Sequence, residues 1–257
     1  MFDQQALSAL GISLIAGLST MLGTVVILLG EGRNEKLLTA SLGFAAGVML
    51  SISFSDLVPQ ARDLIAAEKG AHMGIVYMDL FLVVGVLIAL GLDYLVPHEA
   101  VYDEADRQHQ DLFRVGVVST LAIMLHNFPE GIATFMAGYS DTTLGLSLGI
   151  AIAFHNIPEG VSVAMPVYFA TKDKGKALKF TFLSGIAEPI GALLAFFVLR
   201  PYLNGFVVGS SFALVAGIML YISIEELIPS SRQYGHKRLA LFSTLAGIVL
   251  MPLSHLI

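Results

Sequence analysis

The stretch that decides the fold reads LHNFPEG at residues 125–131, and it returns as FHNIPEG at residues 154–160. Both copies lie inside long apolar runs, where a histidine, an amide and a carboxylate are costly to bury in a bilayer. Two copies on neighbouring segments indicate that these groups share a ligand that offsets the cost. A divalent metal ion is the ligand that best suits them.

The composition places the chain among membrane proteins. Of its 257 residues, 56% are hydrophobic and 13% are charged, and the mean hydropathy is +0.78, which is too apolar for a soluble domain. Cysteine is absent, so disulfides and thiolate metal sites are excluded. The formal net charge is -6 and no basic block occurs, which argues against a nucleic-acid partner.

Long apolar runs predict an all-α integral membrane protein, because a helix that spans the bilayer needs about 20 apolar residues. Eight runs reach this length, at residues 7–29, 37–60, 74–97, 112–138, 144–170, 178–199, 206–229 and 239–256. They are too long and continuous for the strands of a membrane barrel. We expect one polytopic domain over residues 1–257.

The loops between these runs differ in positive charge. The connections after the first, third, fifth and seventh runs hold eleven Lys and Arg residues, whereas the opposite face holds three, which are Arg62, Lys69 and Arg200. The positive-inside rule places the richer face in the cytoplasm and both termini outside it. We therefore expect a multi-pass protein of the cytoplasmic membrane.

The connection at residues 98–111 is predicted to be the longest loop, and it lies on the cytoplasmic face. It holds two histidines, at positions 98 and 109, among five acidic residues. Such a charge run is more often a solvated loop. A weak, exchanging metal site near the exit is the alternative.

A longer repeat relates the two ends of the chain. Residues 46–59 match residues 216–229, with eight of the fourteen positions identical. The first copy lies on a span that runs outward and the second on a span that runs inward. This pattern predicts an inverted repeat of residues 7–97 and 178–256 around the central pair at 112–170. Such repeats, with Pro-interrupted helices around a polar midplane site, are typical of secondary transporters.

The spacing within the motif predicts a metal site. His126 and Glu130 are four residues apart and share one helix face, while Asn127 lies about 100° around the helix. The second copy repeats the arrangement with His155, Asn156 and Glu159. A proline in each copy removes a backbone N–H and disturbs the preceding turn, so we expect kinks that bring both sets of groups toward a common point.

Three carboxylates fall at one depth, since Glu130, Glu159 and Glu188 lie near the middle of their runs, where no Lys or Arg is available. Protons or metal cations must neutralise them, and metal would displace protons. Imidazole, carboxylate and amide oxygen suit Zn²⁺, Fe²⁺, Mn²⁺, Co²⁺ and Cd²⁺. The donors exceed what one four-coordinate zinc uses, so two metal positions, or two states of one, stay open.

The sequence gives weaker support to other functions. An intramembrane metalloprotease would need a His-Glu-x-x-His helix, which is absent, so we predict neither an enzyme nor a bound cofactor. A selective metal channel would use the same ligands with knock-on between weak sites. A sensor that binds metal without flux and an exporter also stay open.

With these motifs the chain resembles the ZIP (Zrt/Irt-like) divalent metal transporter family, and more closely its bacterial ZupT-like branch. The resemblance spans essentially the whole chain. It rests on the two His-Asn-x-Pro-Glu-Gly copies, on LGFAAGVM at residues 42–49, and on the pair Ala187-Glu188.

The resemblance implies eight transmembrane helices in a 3+2+3 arrangement that move zinc, as substrate, into the cytoplasm by alternating access. It implies the metal ligands His126, Asn127, Glu130, His155, Asn156, Glu159 and Glu188, with Met49 approaching from the second helix. The position of His155 varies in the family. Some members are proposed to move the first, fourth, fifth and sixth helices against the other four, and some form homodimers.

Overall fold

The structure is a computed structural model that describes residues 3–29, 35–95, 104–140, 142–199 and 204–256. Its α-helices are α1 (Gln4–Ser19), α2 (Val25–Leu29), α3 (Glu35–Ile52), α4 (Val58–Lys69), α5 (Ala71–Leu95), α6 (Glu104–Ser140), α7 (Thr142–Thr171), α8 (Lys174–Gly185), α9 (Ala187–Leu194), α10 (Gly205–Tyr221), α11 (Ile228–Arg232) and α12 (Lys237–Leu250). Short 3₁₀ turns at Thr20–Thr24 and Met251–Leu256 extend α1 and α12. Each predicted apolar run falls within a helix or a chain of joined helices, except that residues 96–97 of the third run lie outside the described part of the chain.

Side-chain caps mark where three of these helices begin. Asp3 accepts a hydrogen bond from Ala6 N at 2.7 Å, and Asn204 accepts one from Val207 N at 2.9 Å. Asp173 accepts from the backbone N–H groups two and three residues further on, at 2.8 and 3.1 Å. These oxygens satisfy N–H groups that have no partner within the helix, which is why Asp and Asn are favoured at this position.

Within the described residues, five helices are long and apolar enough to cross a membrane by length and composition. They are Gln4–Thr24, Glu35–Lys69, Ala71–Gly91, Lys174–Val198 and Gly205–Arg232. The other three predicted spans lie in α6, in α7 and in α12 with its 3₁₀ extension. The protein is therefore an all-helical membrane protein, and its eight-helix 3+2+3 arrangement stays a prediction.

The helices form two sets, which we name by their positions. The central unit consists of α1, α6, α7 and the joined pair α8–α9: α6 packs against α7, α9 against α6, and α1 against both α6 and α7. The flanking unit consists of α3, α4, α5, α10 and α12, in which α3 packs against α12 and α10 packs against α4 and α5. Contacts of α3 with α7 and of α10 with α6 join the two units.

Two close helix contacts within the flanking unit match each other. A Cβ built at Gly47 of α3 would overlap the carbonyl of Thr244 on α12, and one built at Gly217 of α10 would overlap that of Leu82 on α5. Small residues at helix crossings let backbones approach this closely in membranes. An inverted repeat would produce such pairs. In that repeat α3 corresponds to α10 and α12 corresponds to α5, so the contact of α3 with α12 corresponds to the contact of α10 with α5.

The two matched helices also share an irregular turn. α3 passes into a π-helical turn at Ser53–Leu57, and α10 passes into one at Ile222–Leu227. At the start of each, a serine hydroxyl donates to the carbonyl four residues back: Ser53 to Met49 O at 2.8 Å and Ser223 to Met219 O at 2.7 Å. Matching sequence at residues 46–59 and 216–229 thus gives matching local backbone.

The prediction of a loop at 98–111 is wrong in part, because α6 already begins at Glu104. Its first residues, EADRQ, are mostly good helix formers, and acidic residues are stabilised at a helix N-terminus by the helix dipole. Residues 98–103 lie outside the described part of the chain, as does the suggested metal site among their side chains. The acidic stretch is therefore largely a helical start.

The outward faces of several helices are apolar. Ile15, Leu87, Phe197, Phe242 and Val249 have exposed fractions of 58–71%. An apolar surface of this extent does not occur on soluble monomers. It suits helices that lie against lipid.

Candidate metal centre

The site lies in the central unit, where three helices each contribute polar side chains to one buried region. α6 provides His126, Asn127 and Glu130, α7 provides Asn156 and Glu159, and α9 provides Glu188. All six side chains are at most 4% exposed. Because buried ionisable groups are costly in a membrane protein, their convergence points to function.

His126 stands between the two motif glutamates. Its Nε2 atom lies 3.0 Å from Glu159 Oε1 on α7 and 3.4 Å from Glu130 Oε1 on its own helix. The i, i+4 spacing predicted the second of these contacts. The first joins the two copies of the motif across the α6–α7 interface.

The two asparagines make the same kind of bond with different helices. Asn127 Nδ2 donates to Ser184 O of α8 at 3.0 Å, whereas Asn156 Nδ2 donates to Ala16 O of α1 at 2.9 Å. Each amide nitrogen is thereby held by backbone. Each amide oxygen is turned away from that bond and remains available as an acceptor.

Glu188 reaches the site because the sixth predicted span is interrupted. α8 ends at Gly185 and α9 begins at Ala187, so Glu188 lies in the first turn of α9, where the helix dipole favours a carboxylate. Asn156 Nδ2 donates to Glu188 Oε2 at 3.0 Å. This bond connects the second motif copy to the third carboxylate.

Four buried oxygens in this region have no hydrogen-bond partner among the described residues. They are Asn127 Oδ1, Asn156 Oδ1, Glu159 Oε2 and Glu188 Oε1. Leaving an acceptor buried without a donor costs about 1–3 kcal/mol, and more for a charged group. Carboxylate and amide oxygens and an imidazole nitrogen are the ligand types that borderline divalent cations accept.

Within the described residues, no group of three His, Asp or Glu side chains already has the spacing of a complete metal site. The reason is visible in the geometry: Glu130 and Glu159 both approach the same imidazole nitrogen rather than surround a common point. An ion would have to separate these contacts. The amide oxygens would then complete its coordination.

Two of the predicted ligands cannot be placed at this cluster. The side chain of His155 lies outside the described part of the structure. Met49 is fully buried on α3, within the larger hydrophobic core, and its approach to a metal stays a prediction. The remaining six predicted residues are those that α6, α7 and α9 bring together.

Thr20 is a residue that sequence reasoning missed. It is fully buried, and its Oγ1 has no hydrogen-bond partner among the described residues. The segments GLSTMLG at 17–23 and GIAEPIG at 185–191 place Thr20 and Glu188 at the same position between two glycines. This shared spacing is the signal that would have identified it.

A second polar cluster joins the two units away from the metal centre. Arg114 of α6 contacts the carboxylate of Asp93 on α5, and its Nη1 lies 3.5 Å from Glu226 Oε1. Tyr221 donates its hydroxyl to Asp93 Oδ2 at 3.1 Å. The sequence analysis did not connect these residues to Arg114.

Comparisons with known proteins agree on one family. The family model described as ZIP Zinc transporter matches residues 98–254. The chain is 44% identical over 261 residues to the zinc transporter ZupT of Chlorobaculum parvum, covering 98% of this chain and 97% of that protein. It is 42% identical to ZupT of Chlorobium chlorochromatii, over 98% and 97% of the two chains, and 38% identical to ZupT of Streptococcus mutans, over 99% of both.

Proposed function

The chain belongs to the ZIP zinc transporter family, and on that premise we propose that it carries Zn²⁺ across the cytoplasmic membrane into the cell. It is a membrane protein of a transporter family rather than an enzyme. The observation that carries the proposal is the buried cluster in which His126 of α6 meets Glu159 of α7. In this proposal the zinc ion is the substrate.

We assign the binding of the ion to donors from both motif copies. Glu130, Glu159 and His126 would supply charged and imidazole donors, and the oxygens of Asn127 and Asn156 would complete the sphere. Glu188 would bind the same ion or a second one beside it. The same donor set suits Fe²⁺, Mn²⁺, Co²⁺ and Cd²⁺, which we propose as further substrates.

The burial of the cluster favours a carrier over a selective channel. A channel needs a path along which weak sites follow one another to both sides, whereas the six described ligands are at most 4% exposed. A carrier that works by alternating access passes through such an occluded state. Contacts of α7 with α3 and of α6 with α10 are where the central unit would slide against the flanking unit.

The test is zinc uptake into proteoliposomes that contain the purified protein. We expect saturable uptake by the wild type and uptake at background for Glu130→Ala and for Glu159→Ala. Glu68→Ala removes the same group from an exposed position on α4 and is the matched control. Uptake that survives in both motif variants would refute the site, and zinc binding without uptake in the wild type would favour a sensor.

We also propose the orientation that the charge asymmetry predicts, with both termini outside the cytoplasm. Since the chain lacks cysteine, single cysteines can report it. Glu68→Cys should react with a membrane-impermeant maleimide in intact cells. Lys176→Cys should react only after permeabilisation, and the reverse pattern would invert the topology. The homodimer stays a prediction.

A further inference from the structure

A basic pocket lies where α3 and α12 begin. It has a volume of about 600 Å³ and is lined by Lys36, Gly235, His236, Lys237, Arg238 and Leu239. Lys36, Lys237 and Arg238 are exposed, and none of the described residues that line the pocket is acidic. The pocket therefore offers three cations to an anionic group at the membrane surface.

An apolar groove continues from this pocket along the same two helices. It consists of two adjoining cavities of about 370 and 400 Å³ that share Phe44, Ile157 and Pro158. The first also touches Ala40 and Ser243, one to two turns beyond the basic residues, and the second touches residues further along α3 and α12. The groove is bounded by α7 on one side and by the α3–α12 pair on the other.

The pocket and the groove follow one another along the axes of α3 and α12. α3 and α12 run parallel, because Gly43 approaches Ala240 and Gly47 approaches Thr244. From Lys36 to residue 48, α3 rises about 18 Å. One leaflet of the hydrocarbon core is about 15 Å thick, so the two lengths are similar. A basic surface site thus lies one to two helical turns from an apolar groove, and the two together extend over about the thickness of one leaflet.

We propose that this pocket and groove bind one anionic phospholipid. Its phosphate lies among Lys36, Lys237 and Arg238, and one acyl chain lies in the groove between α7 and the α3–α12 pair. Basic pockets between helices on the cytoplasmic side are sites for acidic lipid headgroups, and this is the face that the charge asymmetry predicts to be cytoplasmic. The apolar lining selects an acyl chain and not a free phosphate.

On the other side of the molecule, aromatic residues occupy the positions that match a basic residue of the pocket and a serine of the groove. When α3 is aligned with α10 so that Met49 corresponds to Met219, Lys36 corresponds to Phe206. When α12 is aligned with α5 so that Gly247 corresponds to Gly85, Ser243 corresponds to Phe81. There the rings of Phe206 and Phe81 meet edge to face with centroids 6.1 Å apart, and Tyr77 packs on Phe206 at 5.3 Å. Aromatic side chains fill the space that the lipid occupies on this side.

The lipid would contact the helix that carries the second motif copy. Ile157 and Pro158 line the groove and lie in sequence between Asn156 and Glu159. This part of the inference rests on the proposed transport function, because it places an acyl chain in the seam where α7 would move against α3. The binding itself does not depend on transport.

The test is native mass spectrometry of the purified protein with dioleoylphosphatidylglycerol, and separately with dioleoylphosphatidylcholine. We expect one retained phosphatidylglycerol per chain and at least about fivefold lower occupancy for phosphatidylcholine. The triple variant Lys36→Gln/Lys237→Gln/Arg238→Gln should lose the bound lipid. Lys174→Gln/Lys176→Gln/Lys179→Gln removes three exposed charges at the start of α8 and should keep it; equal loss in both variants would overturn the proposal.

The groove has its own variant. Ala246→Trp should displace the acyl chain, whereas Val84→Trp alters the matched position on α5 and should leave the lipid bound. Full retention of phosphatidylglycerol by Ala246→Trp would overturn the proposed site, and so would displacement by inorganic phosphate. Thermal unfolding of each variant shows that it is folded. Zinc uptake plays no part in these readouts, so failure of the transport proposal would appear separately.

Discussion

The two copies of the motif are held in the same way but by different helices. On α6, Asn127 donates to the carbonyl of Ser184, and on α7, Asn156 donates to that of Ala16. These carbonyls occupy matching positions, each one residue before a glycine, Gly185 or Gly17. The backbone around the site is therefore twofold in its contacts.

The side chains break this symmetry. Asn156 also bonds Glu188, and the residue that matches Glu188 in the other half is Thr20. The backbone contacts of the two copies match, while the side chains at one matched position, Glu188 and Thr20, differ in charge. The comparison teaches that helix packing and ligand charge can be varied separately in this molecule.

The largest effect should come from closing the glycine contacts of this backbone. A Cβ at Gly131 would overlap the carbonyl of Glu188, and one at Gly160 would overlap that of Thr20. Gly131→Ala and Gly160→Ala should each destabilise the protein by about 3 kcal/mol or more, since neither backbone can yield. Thermal unfolding in detergent measures this, with Gly11→Ala, which meets no atom within 4 Å, as control. Unequal losses would show that the halves are packed differently.

The next largest effect concerns Glu188 and Thr20, which occupy matching positions but differ in charge. Glu188→Thr should lower zinc uptake by about 100-fold, because it removes a buried carboxylate that Asn156 holds in place. Adding Thr20→Glu restores three carboxylates and, if the backbone is twofold, should place the new one beside Asn127. We expect the double variant to recover much of the uptake. No recovery at normal protein levels would mean that the halves differ at more than this position.

The asparagines should differ from each other by a smaller factor. Asn127→Ala and Asn156→Ala each remove an amide oxygen and a bond to backbone, which should lower zinc affinity by about tenfold. Asn156→Ala should be the more harmful, since it also releases Glu188. Zinc titration by calorimetry compares the two. A larger effect of Asn127→Ala would contradict the assigned asymmetry.

The smallest effect is expected at the matched serines of the flanking unit. Ser53→Ala and Ser223→Ala each remove one bond to a carbonyl in the preceding turn. The loss should be about 1 kcal/mol or less for each and nearly equal. Differential scanning fluorimetry would detect it. A large loss for only one of them would give that π-helical turn a separate role.

Much of the site was predictable because its groups lie close together in sequence. The spacing of His126 and Glu130 determines that they share one helix face. Apolar run length places most described helix ends within four residues, but the end of α4 and the start of α6 lie nine and eight residues from their predicted positions. How two helices are rotated toward each other depends on many side chains. The contact of His126 with Glu159 therefore required the structure.

The prediction of a loop at residues 98–111 was wrong in part for a different reason. Charged residues there were interpreted as loop because they interrupt the apolar pattern, but Glu and Arg are also good helix formers. The cluster of Arg114 with Asp93 and Glu226 was missed for a related reason. Its members come from α5, α6 and the turn after α10, and no local pattern connects them.

The glycine contacts within the central unit also have a practical use for spectroscopy. Spin labels on Ile15 and Ile190, both exposed, would sit on α1 and on the joined pair α8–α9, which approach closely where Gly17 meets Gly185 of α8 and Pro189 of α9. Their separation should stay constant through the transport cycle and serve as an internal standard. Labels on Ile15 and Val249 would span the two units, and the absence of native thiols lets both pairs be attached without background. On the proposed mechanism, a change in the second distance alone would measure how far the central unit moves against the flanking unit.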